Sequence, residues 1–388
     1  MAADEADVVV LGLGGIGSAA AYWLARSGVR VIGLERFALG HDRGASQDHS
    51  RIIRLSYHDP RYVRLAQAAY ESWAEVSAEA DVELVVRTGG IDIYPPTGAL
   101  DRGSYCRAMD ACGVPYERLD DAEAMRRFPE LRVEAGTEVV YQEQSGIAAA
   151  ARANAAHQRL ARAHGAELHE HARVDAISTA GGEVCVRVNG RSIRAGRLVL
   201  CAGPWTNDVL GLLGHRLNLA VTREQVLYLE PQDMAAFAPQ RFPVWIWMSD
   251  PCFYGFPVFG EQAIKAAQDG GGNETTADGR SFEPDEANRA RVIDFMRRTF
   301  PRAVGREMRL KTCLYTLPPD RDFVLDALPG NEQVLLCVGA GHAFKFATQL
   351  GRILAELALK GTTLHDISLF RADRKALSDP DAPRTWTV

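Results

Sequence analysis

The sequence predicts an α/β protein, a dinucleotide-binding unit with a second, antiparallel-sheet region interleaved into it. Three observations carry this. Val8-Val9-Val10-Leu11 is a short apolar run of the kind a buried parallel strand needs, and Gly12-Leu13-Gly14-Gly15-Ile16-Gly17 turns directly out of it. Residues 225–265 alternate apolar and polar side chains, with aromatics clustered, which is the pattern of an antiparallel sheet with one binding face. Apolar strands then return late, at 198–201 and 334–338, as though the first unit resumes.

The opening stretch is the most specific. Glycines there allow a sharp turn, close approach of backbone N–H groups to a pyrophosphate, and the start of a helix over 18–26 whose N-terminus faces the anion. Gly28 stops that helix, residues 29–34 supply a second strand, and Glu35 stands where a dinucleotide fold puts an acid for a ribose hydroxyl. A glycine triplet alone also occurs as a plain turn; strand, helix and acid in register favour nucleotide binding. The following loop, 40–50, is polar and leads into Arg51-Ile52-Ile53-Arg54. Asp59-Pro60 starts a helix whose Val63, Ala66, Tyr70 and Trp73 recur at helical spacing, a core stripe.

Residues 82–94 read as two short strands turned at Gly89-Gly90, 104–112 as a helix closed by Gly113, and 121–128 as a helix ended by Pro129. An alanine-rich helix is expected over 147–164, then strands over 167–177, 183–188 and 197–201. Cys201-Ala202-Gly203-Pro204-Trp205 closes the last of these with small residues, which suits close approach of backbone to a cofactor as well as a simple strand-to-helix turn. Residues 284–300 form an amphipathic helix and 309–315 a strand. After the strand at 334–338, Gly339-Ala340-Gly341 turns the chain into a closing helix marked by Phe346, Leu350, Ile353 and Leu357. Interleaving assigns 1–80, 145–220 and 310–388 to the cofactor-binding domain, and 81–144 and 221–309 to the substrate domain.

Composition narrows the function. A net charge of −6 and the lack of any Lys/Arg-rich run argue against nucleic acid as the partner. Residues 1–7 carry no basic leader pattern and no apolar run could span a bilayer, so a cytoplasmic protein acting on a small molecule is expected. The seven cysteines are scattered without a CxxC, which indicates neither a disulfide framework nor a zinc site.

The glycine motif, Arg51-Ile52-Ile53-Arg54, Tyr254-Gly255-Phe256-Pro257, Lys265, Lys311-Thr312-Cys313-Leu314-Tyr315-Thr316, residues 322–326 and Gly339-Ala340-Gly341-His342-Ala343-Phe344-Lys345-Phe346 together resemble the monomeric sarcosine oxidase and N-methyl-L-tryptophan oxidase family, in order and over almost the whole chain. The resemblance implies a glutathione-reductase-like FAD domain, an amine oxidase with oxygen as acceptor and hydrogen peroxide as product, and a monomer. It places FAD against Gly12, Gly14, Gly15, Ile16, Gly17, Glu35, Arg36, Ser46, Gln47, Ser50, Arg51, Val174, Gly203, Trp205, Gly341, His342, Phe344 and Lys345.

It also implies roles. Cys313 would form a thioether with the flavin 8α-methyl, a bond that needs a thiolate beside cations such as Lys311; alone, it reads as an inert strand cysteine. Lys265 would help reduced flavin meet oxygen, a fixed ammonium where negative charge develops. Arg54 and Lys345 would hold the substrate carboxylate, with Arg51 near the flavin ring; salt bridges to Asp48 and Asp59 are the plainer reading of the two arginines. Tyr254, Tyr315 and His342 would line the cavity, and a helix beginning near His342 would turn its positive end to the flavin pyrimidine.

Two departures bear on the substrate. Gln47 stands in the loop where the sarcosine oxidases have a histidine, and Asp269 stands where a histidine follows the conserved lysine. An anion-capable group there, with Trp245 and Trp247 in the expected binding sheet, points to a larger or cyclic secondary amino acid; a loop aspartate facing solvent is the alternative. The reading is therefore an FAD-dependent oxidase of the CH–NH bond of a secondary amino acid, N-methylated or cyclic. Alternatives are a cyclic imino acid oxidase of a biosynthetic pathway, a primary-amine oxidase of the glycine or D-amino acid oxidase kind, and a non-catalytic flavoprotein subunit.

Overall fold

The computed structural model describes residues 4–385; residues 1–3 of the N-terminal stretch lie outside them. Asp4–Leu11 is the centre of a sheet, paired in parallel with Arg191–Leu200 on one side and Val31–Leu34 on the other, and Glu167–His169 extends it beyond Val31–Leu34. Val8, Val9 and Val10 are buried, as a strand covered on both faces requires. Asn331–Val338 joins in parallel on the last turn of Arg191–Leu200, so the chain's late return to the first sheet is real. Arg191–Leu200 is longer than the 197–201 expected. Its first half alternates exposed and buried residues against Glu183–Val188, a half-exposed pattern that the apolar run alone does not reveal.

Three helices cover one face of this sheet: Gly15–Arg26 packs against Ala150–Ala163 and Ala347–Lys360. The last crossing is close, since a Cβ on Gly351 would lie 2.6 Å from Ala19 and from the backbone of Ala20. Pro60–Ala80 is capped as expected, with the Asp59 carboxylate accepting the Arg61 N–H at 2.7 Å.

The second sheet runs Asn273–Glu274, Ala220–Leu229, Ile264–Asp269, Cys252–Phe256, Val244–Trp247, Gly90–Tyr94, Glu138–Gln142, Glu117–Leu119, with Glu307–Leu317 on the free side of Ala220–Leu229. One face packs on Glu286–Thr299 through Phe295 and Met296; the other looks toward the first sheet. Arg51–Ile53, Gly146–Ala148 and Val85–Arg87 form a small sheet between them.

Three expectations need correction. Val85–Arg87 and Gly90–Tyr94 are not a hairpin, for the first pairs with Gly146–Ala148 and the second with Glu138–Gln142 and Val244–Trp247. The helix expected from residue 147 begins at Ala150, because Gly146–Ala148 is drawn into the small sheet. The helix expected near His342 begins at Ala347, preceded by a 3-10 turn at Ala343–Phe346, which sets its dipole end four residues beyond Ala343. Among the described residues no helix is long and apolar enough to cross a membrane.

Candidate active site

A cavity of about 560 Å³ runs from the end of the first strand to the inner face of the second sheet. At its first end lie Gly12, Gly14, Gly15 and Ile16. Gly12 has φ +87°, and a Cβ there would meet the Cys201 carbonyl oxygen at 2.5 Å; a Cβ on Gly17 would come within 1.8 Å of the Gly12 carbonyl oxygen. Any side chain would wedge the strand–turn–helix apart. The helix that follows has no side-chain cap, so its first N–H groups remain for an anion apart from that of Gly15, which donates to Ser46 Oγ at 2.8 Å. Glu35 accepts the Leu13 N–H at 2.9 Å and the Phe37 N–H at 3.0 Å. Burial would raise its carboxyl, but His41 and these two N–H groups hold it below the usual range. Val174 and Gly203 line the same end. Arg36 and Trp205 also line it, both tied to Asp278: Arg36 at 3.0 Å and the Trp205 indole N–H at 2.8 Å. Asp278 has no signal in the sequence, being an isolated loop acid.

Toward the second sheet, Arg51 donates to the carbonyls of Ser50, Ala45 and Gln47, and its guanidinium lies 5.7 Å from the Phe344 ring centroid. The plainer reading holds for Arg54 with a different partner, since it forms a buried salt bridge to Asp92 and not to Asp59, while Arg51 is held by the carbonyls just named. Asp59 pairs with Arg61, while Arg54 is buried and reaches Asp92 at 3.3 Å. Lys345 lines the cavity near Arg54, its ammonium 5.7 Å from the Tyr57 ring centroid. Burial and then the charge of Arg54 pull it down to about 7. Asp269 also lines the cavity and does not face away into solvent. It accepts from Tyr315 Oη at 3.2 Å and from Arg321 at 3.3 Å. Tyr254 and Gly341 lie alongside. His342 has one ring nitrogen, Nε2, 3.0 Å from the Arg321 carbonyl, and burial together with Lys345 and Arg321 holds it neutral, so Nδ1 is left as an unpartnered acceptor.

Six of the residues expected at the site stand off the cavity wall: Gly17, Gln47, Ser50, Trp245, Lys265 and Cys313. Gln47 turns its amide to the Thr312 carbonyl at 3.0 Å. Lys265 is buried behind Phe256, with its ammonium 2.7 Å from Asp48, 3.0 Å from the Ser50 carbonyl and 3.4 Å from Ser50 Oγ. Burial lowers it to about 8 against the opposing pull of Asp48. Cys313 is half-buried beside the lining residue Leu314; burial, with Glu224 adding to it, pushes its thiol up to about 11, while Arg51, Lys265 and Arg280 act the other way. Lys311, the cation expected to serve it, is held instead by Asp48 at 3.1 Å. Trp245 is a correction: its strand turns Ile246 to the cavity, and Trp245 packs on Phe295 and Phe300 at ring separations of 5.7 and 4.7 Å in the far core. Alternation along a strand fixes two faces without saying which one is the binding face. Among the described residues no cluster of His, Cys, Asp and Glu could hold a metal ion.

A glycine turn opening an uncapped helix and an acid at the end of the second strand are the parts of a dinucleotide-binding protein, here with a cavity that continues to a cluster of cations. Residues 7–357 match the family described as FAD dependent oxidoreductase, and the chain belongs to that family. It is 34% identical to a monomeric sarcosine oxidase of Streptomyces avermitilis over 381 residues, covering 95% of this chain and 98% of that one. It is 29% identical to N-methyl-L-tryptophan oxidase of Salmonella arizonae over 374 residues, covering 95% and 98%. Among solved structures it is similar to NikD, an unusual amino acid oxidase essential for nikkomycin biosynthesis, in its open form: TM-score 0.84, 28% identity, 95% of this chain and 97% of that one. The protein is an FAD-dependent amine oxidase. The residues present fit the cofactor, since the glycine cradle leaves no room for a Cβ and the cavity continues from Glu35 to the second sheet.

Proposed function

We propose that this enzyme oxidises the carbon–nitrogen bond of a secondary amino acid, cyclic or bulky, with dioxygen as acceptor and hydrogen peroxide as product. The single observation that carries the substrate class is Asp269, a cavity-wall carboxylate held by Arg321 and Tyr315 at the same end as Lys345 and Arg54. The two cations take the acid end of the substrate, Arg as a planar fork and Lys as a compact charge. Asp269 accepts a hydrogen bond from the amine or takes up its proton, and the contacts from Arg321 and Tyr315 fix its orientation for that. Neutral His342 offers Nδ1 as a further acceptor.

The FAD that the family uses supplies the two-electron redox chemistry. The chain's own groups then bind and orient. The N–H groups at the start of Gly15–Arg26 hold the pyrophosphate, Glu35 the ribose hydroxyls, and Val174, Arg36 and Trp205 the far end. Gln47 and Ser50 serve indirectly, through Thr312 and Lys265. Lys265 is the cation that favours electron transfer to oxygen, positioned by Asp48 and Ser50. Cys313 carries the flavin covalently, its place in the Lys311-Thr312-Cys313-Leu314-Tyr315-Thr316 run supporting this; Arg51, Lys265 and Arg280 favour its thiolate against burial and Glu224. The interleaved division of the chain, a cofactor domain and a substrate domain, a monomeric state and a cytoplasmic site of action complete the reading.

The test is anaerobic flavin bleaching by a panel of secondary amino acids, the same compounds lacking the carboxylate, and primary amino acids. Bleaching by the first group only is expected; bleaching by primary amino acids alone would overturn the proposal.

A further inference from the structure

Glu224 is a buried acid that the oxidation itself does not use. It lies on Ala220–Leu229, the strand between the one bearing Cys313 and the one ending at Asp269, and its Cα partner across Glu307–Leu317 is Cys313. Residues opposite each other in an antiparallel pair send their side chains to the same face, with Cβ atoms about 4.5–5.5 Å apart, so a glutamate there reaches its neighbour's sulfur. Only 2% of the residue is exposed. One carboxylate oxygen, Oε1, accepts from Thr222 Oγ1 at 2.6 Å; the other, Oε2, has no hydrogen-bond partner. A buried oxygen left unpaired is costly, so its retention calls for a reason.

We propose that Glu224 is the proton acceptor for covalent attachment of the flavin to Cys313. This rests on the reading of Cys313 given above. In the step, the Cys313 S–H bond breaks and its proton goes to Glu224 Oε2. One C–H bond of the flavin 8α-methyl breaks, its proton leaving to solvent and its electron pair entering the ring system. The sulfur then bonds to that carbon, so the ring is left reduced by two electrons, and dioxygen takes these with two protons to give hydrogen peroxide. The net change is thiol plus methyl-flavin plus dioxygen to thioether plus hydrogen peroxide. The cations near Cys313 stabilise the thiolate but cannot take its proton, and Asp48, the nearby carboxylate, is occupied by Lys265, Lys311 and Tyr228. Burial, aided by the charge of Asp269 and opposed by Thr222, Arg321 and the Gly272 N–H, raises the Glu224 carboxyl to about 7, which suits a group that must take a proton near neutrality.

The experiment follows covalent incorporation in full-length chain produced with limiting flavin and then given FAD, by the flavin fluorescence that stays with the acid-denatured polypeptide. Parent protein should incorporate, and Cys313→Ala should bind FAD without incorporating. Glu224→Gln, which keeps the hydrogen bond to Thr222, should bind FAD but incorporate at least tenfold more slowly at neutral pH. Incorporation at the parent rate by this variant would overturn the inference. No incorporation by the parent would overturn the Cys313 reading instead, a separate outcome. The parent's pH profile gives a measurement that survives a variant that fails to fold. The groups facing Glu224 are Asp269, Arg321, Cys313, Tyr315 and Thr222. With Glu224 as acceptor, the rate rises with pH through about 7 and levels off. A rate that climbs without inflection toward the thiol's own range near 11 would refute it.

Discussion

Replacing Lys345 by methionine removes one of two cations at the inner end of the cavity while keeping most of the side chain's length. A charge-assisted hydrogen bond contributes about 1.5–3 kcal/mol, so the affinity for a carboxylate inhibitor should fall by roughly ten- to a hundredfold. The structure adds a pH signature. Burial and Arg54 lower the ammonium to about 7, so in the free protein it loses its proton as pH rises through that value. The carboxylate binds the charged form; parent affinity is therefore fully present below about pH 7 and declines above it, whereas the variant should lack that decline. Arg54 stays charged throughout, since Asp92 raises it despite burial, so the variant retains residual binding. The assay is titration of the flavin spectrum with the inhibitor across pH. Unchanged affinity in Lys345→Met, or a decline with pH that persists in it, would refute the assignment.

Lys265→Met should slow reoxidation of the reduced flavin by oxygen far more than it slows reduction by substrate, and parent reoxidation should weaken as pH rises through about 8, where the lysine loses its charge. Equal reoxidation rates in stopped flow would remove Lys265 from that step. Cys313→Ala should release its flavin to the supernatant on acid precipitation, whereas the parent's colour should pellet; parent colour found wholly in the supernatant would end the covalent reading. Trp245→Ala should cost about 3–5 kcal/mol in denaturant unfolding, as large core truncations do, while leaving the ranking of substrates unchanged. A changed ranking at full stability would return Trp245 to the cavity.

The legible part of the molecule was local. An apolar tetrad, a glycine turn and an acid at the next strand's end lie within 35 residues, and each is dictated by backbone geometry that leaves its mark on residue type. The residues expected at the substrate end come only through family resemblance, and their partners are not legible at all. Asp92 reaches Arg54 from another sheet, Arg321 reaches Asp269 across 52 residues, and Asp48 meets Lys265 and Lys311 from a loop more than 200 residues away. No periodicity marks such pairs, because long-range contacts between single charged residues leave no local pattern. Asp48 even takes φ +88°, a conformation its residue type does not announce. Trp245 was misplaced for a different reason. An aromatic on a two-faced strand fits a core and a binding wall equally well, and the core beneath this sheet is supplied by Phe295 of a helix further along the chain and by Phe300 just past its end.

The proposed preference for a cyclic or bulky secondary amino acid over sarcosine rests on Asp269 at the cavity wall. The direct measurement is kcat/KM for sarcosine, N-methyltryptophan, proline and pipecolate in the parent and in Asp269→His. The parent should prefer one of the last three over sarcosine, and the histidine variant should shift the ratio toward sarcosine. Sarcosine as the parent's best substrate, with the same ranking in the variant, would contradict it.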